Sequence, residues 1–298
     1  METTKNWNEF ILKWLIKFSG YSAIIFVILI FYFLLLAGFP TIREVSLSNL
    51  LSTQWYPIEN YFGLLPLIGG TIIVTFGAAM FAIPIGLCTA VYISEVSPQS
   101  ARNYLKPLVE ALGGIPSVVL GFLGIMILAP NLRLLLDLPT GLSALAGSIL
   151  LAGIAIPTIV SIAEDALDSV PRSYRDGALA LGATEWQTIW RVTFPAARSG
   201  VLTAIMLGIG RAIGETMAVM MITGNAAVLP IKLNSLFHPV RTMTATIAAE
   251  MGEVAKNSTH YHVLFFIGLL LFIVSLGINI AASTAMFRQR KRAERILS

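Results

Sequence analysis

The sequence predicts an all-α polytopic membrane protein with six transmembrane helices and both termini in the cytoplasm. Three observations carry that prediction. Hydrophobic residues make up 56% of the 298 positions and charged residues only 12%, with a mean hydropathy of +0.79, whereas a soluble domain carries about 25% charged residues. Apolar stretches long enough to cross a bilayer recur at roughly 14–38, 66–93, 107–129, 141–163, 200–224 and 262–286. Lys and Arg concentrate on one side of that layout. The N-terminus (Lys5, Lys13, Lys17), the 94–106 loop (Arg102, Lys106), the 164–199 loop (Arg172, Arg175, Arg191, Arg198) and the tail (Arg288, Arg290, Lys291, Arg292, Arg295) hold fourteen of the twenty. Arg43, Arg133, Lys232, Arg241 and Lys256 fall on the other side. The positive-inside rule then puts both termini and the 164–199 loop in the cytoplasm.

The first stretch follows a mildly basic N-terminus, exceeds a signal-peptide core in length and lacks a small-residue cleavage site, so it reads as a retained helix. The second contains Pro84. The third and fourth are interrupted by Gly113, Gly114 and Pro116 and by Gly153 and Pro157; such breaks are tolerated where neighbouring helices or a cavity satisfy the freed backbone groups. Cys88 is the single cysteine, which excludes an intrachain disulfide. The pI near 9.3 is an orientation signal. The basic tail is read as meeting anionic lipid head groups rather than nucleic acid.

The polar stretch from about Glu164 to Ser199 is too patterned for a slack loop. Pro171 can open a short helix, and Gly182 can end it in a left-handed conformation. Thr184 and Gln187 have capping-box spacing for a second short helix. Pro195 then ends that helix and turns the chain back toward the bilayer. Two short helices hinged at a glycine suggest a dock for another protein; an amphipathic loop lying on the lipid surface is the plainer alternative.

The fifth stretch holds GIGRAIGETMAVMMITGN at 208–225. Arg211 and Glu215 are four apart and would share one helix face. Arg211 is roughly 16 Å past Gly200 at about 1.5 Å per residue, near mid-membrane. A charge there costs about 2.5–3.5 kcal/mol, and intramembrane ionisable groups mark pathways more often than not. A structural ion pair is the competing account. Arg suits a bidentate oxyanion; Glu can accept a proton-bearing oxygen, as in hydrogen phosphate, and repels a fully deprotonated anion. Thr216 and Thr223 add hydroxyls. Gly208, Gly210 and Gly214 allow close approach of a helix or a substrate.

Glu110 is read as a carboxylate favoured by the dipole at a helix start, with the path or the loop as its alternative neighbours. Arg241, in an outward Thr-rich segment, either attracts anions from a short or re-entrant helix at the outer mouth or lies on a solvated face. His260 and His262 read as interfacial anchors rather than metal ligands. No G-x-x-x-x-G-K-[ST], H-E-x-x-H or G-x-S-x-G pattern occurs, so no catalytic or metal-binding residue is assigned and the energy source is expected in trans or from an ion gradient.

These motifs resemble those of ABC importer permeases of type I. The coupling loop of that family reads Glu-Ala-Ala, three residues, Gly, nine residues, Ile, one residue, Leu-Pro. Asp176-Gly177-Ala178, Gly182, Val192 and Phe194-Pro195 match that spacing, with Asp for Glu, Gly for Ala, Val for Ile and Phe for Leu. RAIGETMAV, with GGIPSVVLGF at 113–122 and PVRTMTATIAAEMGE at 239–253, is similar to the C-type permeases of phosphate-specific transport systems; the A-type partner usually has Ala-Pro where this chain has Met217-Ala218. The resemblance implies the MetI-like fold. It divides the chain into an N-terminal cytoplasmic segment, first helix and external loop (1–63), a permease core (64–290, with its coupling loop at 164–199) and a basic cytoplasmic tail (291–298).

Arg211, Glu215, Thr216, Thr223 and Arg241 are the candidate path residues. Asp176, Gly177, Ala178, Gly182, Glu185, Val192, Phe194 and Pro195 are the candidates for ATPase coupling. No cofactor is expected on this chain; ATP and magnesium would belong to the partner ATPase. The implied partners are a homologous A-type permease, two ATPase subunits, an extracytoplasmic phosphate-binding protein and membrane lipids, without nucleic acid, at a prokaryotic inner membrane. The implied function is the permease of an ATP-driven phosphate importer. Molybdate or sulfate is the alternative cargo, a gradient-driven carrier or channel the alternative machine, and a membrane-embedded enzyme a distant fourth.

Overall fold

A computed structural model describes residues 3–297, and six of its helices are long and apolar enough to cross a membrane. Met1, Glu2 and Ser298 lie outside the described residues, as do the side chains of Lys5 and of 285–298, which include every Lys and Arg of the basic tail. The spans are Glu9–Glu44, Leu65–Val96, Ser117–Leu135, Ala144–Asp168, Glu185–Gly214 and Thr259–Ile280, called spans 1 to 6 below. The end bearing the 172–193 loop is called the basic end, and the opposite one the far end.

Span 4 is the hub, the most buried of the six, packed between spans 2 and 5. Small residues allow that approach. Ile159 of span 4 wedges between Gly86 of span 2 and Gly208 of span 5, and a β-carbon at either glycine would overlap it. Gly208 is therefore a packing glycine, whereas Gly210 and Gly214 face open space. Span 1 lies at the edge and packs chiefly on span 6, where Phe31 meets Phe272 and Phe33 meets Phe265 edge-on, each at 5.4 Å between ring centres. Its exposed apolar surface is what a lipid-facing helix needs.

The prolines behave differently from one another. Pro84 and Pro157 stay within spans 2 and 4. The third crossing, expected to run from 107, begins at Ser117 instead. Residues 107–113 belong to a separate amphipathic helix, Gln99–Gly113, with no buried residue. Pro116 lacks an N–H and disfavours helical geometry at Ile115, and two glycines precede them, so the helix breaks there.

Pro195 corrects the expectation in the other direction, because the helix does not stop at it. Ile189–Thr193 forms a π-helical turn in which the Phe194 N–H donates to the Ile189 carbonyl. The widened turn carries the helix past the residue that cannot donate, and Phe194–Gly214 follows without interruption.

At the far end, the last turn of span 1 and the residues after it to 64 fold into a small cap. It holds helices Thr41–Glu44 and Leu47–Leu50 and a hairpin pairing Trp55–Tyr56 with Tyr61–Phe62. Trp55, Phe62, Leu64, Met243, Val263 and Ile267 share one buried cluster. The Thr-rich segment supplies a short helix, Met243–Glu250, whose start is capped by Thr242 and whose Met243 N–H donates to Thr71 Oγ1 at 3.0 Å.

Candidate functional site

Two regions carry polar groups that packing alone does not require. The first is the loop at the basic end. Helix Arg172–Ala180 starts after Pro171, Gly182 sits at φ +83°, and Thr184 caps helix Glu185–Thr188 in a complete capping box with Gln187. Asp176, Gly177, Gly182, Glu185 and Pro195 are exposed, while Ala178, Val192 and Phe194 are half-buried. The loop also shows an aromatic ladder that was legible only as spacing: Trp186, Trp190 and Phe194 stack at 5.5 and 5.2 Å between ring centres. Leu181 is 90% exposed, Trp186 62% and Trp190 45%, so the loop presents apolar side chains able to receive a protein surface.

Beneath the loop is a charged cluster that sequence reasoning missed. Glu164, 1% exposed, accepts from Arg102 at 2.5 Å and from Lys106 at 2.6 Å. Arg102 also pairs with Asp168, and Lys106 with Asp165. Hydrogen bonds to Asp165 and Glu164, working against burial, raise the Lys106 pKa above its ordinary value. Arg175 of the loop grips Glu95 at 2.6 Å and donates to the Val170 and Leu167 carbonyls. The cluster ties the loop, the end of span 2, helix Gln99–Gly113 and span 4 into one unit. No sequence interval announces these pairs, because each partner comes from a different helix.

The second region lies where the chain breaks in the third and fifth crossings come together. Arg211 donates to Thr158 Oγ1 and to the Gly113 carbonyl, each at 3.1 Å. It lines a concavity of about 420 Å³ with Glu110, Gly113, Gly114, Pro157, Thr158, Ser161 and Ile162. A larger hollow of about 730 Å³ at the far end borders only the end of span 3 and its following loop, around Arg133 and Asp137; it lies apart from both breaks.

The expected face-sharing of Arg211 and Glu215 does not occur. The helix ends at Gly214, and Glu215 is extended, at ψ 129°. Its Oε1 accepts from the N–H groups of Thr216 and Ala218, capping helix Met217–Ile222. A carboxylate in reach of free helix N–H groups satisfies them better than continued helix through a glycine does. Thr216 bonds the Gly214 carbonyl. Thr223 is fully buried and bonds the Val219 carbonyl.

Arg241 is largely buried and pairs with Glu250 at 2.7 Å, rather than lying on a solvated face. Glu250 also accepts from Trp55 Nε1 and His260 Nε2. Burial opposes ionisation of Glu250, yet those hydrogen bonds and the Arg241 charge outweigh it and hold the carboxyl below its ordinary pKa. His262 Nδ1 meets the Ala37 carbonyl. Among the described residues no three His, Cys, Asp or Glu side chains converge on a metal position. Glu110 is also corrected: it sits in the last turn of helix Gln99–Gly113, where the helix dipole disfavours a carboxylate.

Comparison with known proteins follows the same lines. The family described as binding-protein-dependent transport system inner membrane component matches residues 82–293. The Probable ABC transporter permease protein YqgH of Bacillus subtilis is 42% identical over 228 residues, covering 76% of this chain and 73% of that protein. The Phosphate transport system permease protein PstC of Xylella fastidiosa is 33% identical over 278 residues, covering 87% and 84%; that of Haemophilus influenzae is 31% identical over 299 residues, covering 91% and 93%. Among solved structures, the MetNI methionine ABC transporter in an inward facing conformation aligns at a TM-score of 0.59 and 22% identity, covering 79% of this chain and 99% of that one. A bacterial alginate ABC transporter aligns at 0.62 and 15%, covering 93% and 95%. The six-span architecture, the patterned loop and this kinship across most of the chain agree: it belongs to the binding-protein-dependent transport system inner membrane components, the permease subunits of ABC importers.

Proposed function

We propose that this chain is the phosphate permease subunit of an ATP-driven importer in the prokaryotic inner membrane. It would form half of the translocation pathway beside a homologous A-type permease. Two ATPase subunits, carrying the ATP and magnesium, would act at the loop, which on this reading faces the cytoplasm, and an extracytoplasmic phosphate-binding protein would deliver at the far end. The observation that carries the proposal is Arg211. A guanidinium in a membrane-spanning helix is held by one hydroxyl and one carbonyl, beside two chain breaks, with its remaining N–H groups available to an anion. Such a fork meets phosphate oxygens in pairs. The names of the PstC relatives favour phosphate over molybdate or sulfate.

The loop supplies the drive. Its exposed ladder and Leu181 would sit on the ATPase, and Arg175 would pass the ATPase's movement to Glu95 and the cluster around Glu164. Helix Gln99–Gly113 begins in that cluster and ends at the carbonyl held by Arg211. The test is uptake of labelled phosphate by the full transporter in proteoliposomes. Arg211→Gln abolishes uptake while the ATPase subunits still co-purify; uptake at the unaltered rate would show that Arg211 is not on the path. Uptake by the permease subunits without ATPase would favour a gradient-driven carrier instead.

A further inference from the structure

Glu110 stands out among the polar groups left unused, because it shares the Arg211 concavity without being paired to Arg211. Among the described residues its one hydrogen-bond partner is Ser161, whose Oγ donates to Glu110 Oε1 at a long 3.5 Å. Arg211 spends two of its N–H groups on Thr158 and Gly113 instead. Thr158 and Ser161 are three apart on span 4, and Glu110 and Gly113 three apart on their own helix. Such neighbours lie on one helix face. The two helices thus present two rungs, Arg211 at the level of Thr158 and Gly113, and Glu110 at the level of Ser161. The rungs are separated by about 4.5 Å, three residues at about 1.5 Å each.

We infer that Glu110 is the specificity-determining residue of this path: it accepts the proton of a hydrogen-bearing tetrahedral oxyanion whose other oxygens lie on Arg211. The inference rests on the permease reading and adds a selection rule to it. An ionised carboxylate only accepts hydrogen bonds. Hydrogen phosphate has an O–H to give it and unprotonated oxygens for the guanidinium, so both rungs are satisfied at once. Sulfate carries no proton at neutral pH; its oxygens would face the carboxylate with like charge and no hydrogen bond, a mismatch of the kind that gives strong discrimination. A glutamate beside the arginine would otherwise weaken anion binding, which is the unexplained feature that a proton-bearing anion resolves. Glu110 does not relieve the conflict by an ion pair to Arg211 in this structure, where Arg211 donates to Thr158 and Gly113.

The experiment measures binding of labelled inorganic phosphate to the purified, full-length permease pair in detergent, without the binding protein, and its displacement by sulfate at neutral pH. In the wild type phosphate displaces itself and sulfate is weak. Glu110→Gln removes the charge and keeps the shape; it should weaken phosphate and strengthen sulfate, narrowing the phosphate-to-sulfate ratio by about tenfold or more, since a charge-assisted bond becomes a neutral one and the repulsion is removed. Glu110→Asp, which keeps the charge, should retain the wild-type preference at reduced affinity. An unchanged ratio in Glu110→Gln, with binding abolished in Arg211→Gln, overturns the role of Glu110 and leaves the permease reading standing. Binding unchanged in both variants overturns the pathway assignment itself.

Discussion

Two loop glycines five positions apart ask for opposite treatment. At Gly177 a β-carbon would meet nothing within 4 Å and the backbone is ordinary helix. Alanine there should stabilise the helix by about 0.5–1 kcal/mol. At Gly182 the space is equally open, but φ is +83°, where an L side chain costs about 1–2 kcal/mol. Hydrogen exchange across 172–188 in the purified protein should slow for Gly177→Ala and quicken for Gly182→Ala; the same direction in both would refute the left-handed hinge. The hinge was legible because cap chemistry is written in adjacent residues. The parting of Arg211 from Glu215 was not, because helix spacing assumes the helix continues, and here Glu215 turns its oxygen onto the next helix start.

Among elements, the loop and the bundle are joined by a charge pair with little water around it. Glu95 is 7% exposed and Arg175 20%. Removing one partner of a buried pair leaves an uncompensated charge, at a cost of about 3–5 kcal/mol, whereas removing both with apolar shapes is far milder. Arg175→Met should therefore lower the thermal midpoint of the detergent-purified protein markedly, and adding Glu95→Leu should restore most of it. It should not restore transport-linked ATPase stimulation in the assembled transporter if the pair transmits loop movement. Additive losses of stability in the double variant would mean that the two residues act independently. The same scale holds the two helix surprises. Pro116 breaks its crossing with glycines upstream, while Pro195 is absorbed by a π turn whose Phe194 N–H reaches one residue further back. Proline alone does not announce which will happen; the local hydrogen-bond alternatives do.

Across the whole molecule, the far end is fastened by groups from three separate segments: Trp55 of the cap, Arg241 and Glu250 of the Thr-rich segment, and His260 at the start of span 6. Glu250 is held below its ordinary value of 4.5. A depressed carboxylate pKa contributes stability that is full above the unfolded value and fades as pH falls through the lower folded value. Acidification from neutral pH to below 4.5 should therefore loosen residues 239–262, read as faster hydrogen exchange after correction for the intrinsic pH effect. Glu250→Gln should be loose already at neutral pH and indifferent to the change. Exchange in the wild type that ignores acid would show that the cap is held by its apolar cluster alone.

The sequence by itself determined the membrane embedding, the number of crossings and the internal build of the loop. Those follow from hydrophobic run length and from cap and hinge residues that act on their immediate neighbours. It also put Arg211 inside the fifth crossing. The tertiary structure alone decided which groups Arg211 meets, that Thr223 and Arg241 are committed to packing and to Glu250, and that Glu164 collects its cations from another helix. It brought Glu110, read from sequence as a helix-start carboxylate, into the concavity of an arginine on a distant span. Such meetings depend on how non-adjacent helices cross, and the crossing is set by small residues such as Gly86 and Gly208 closing on Ile159, a fit that exists only once all the helices are in place.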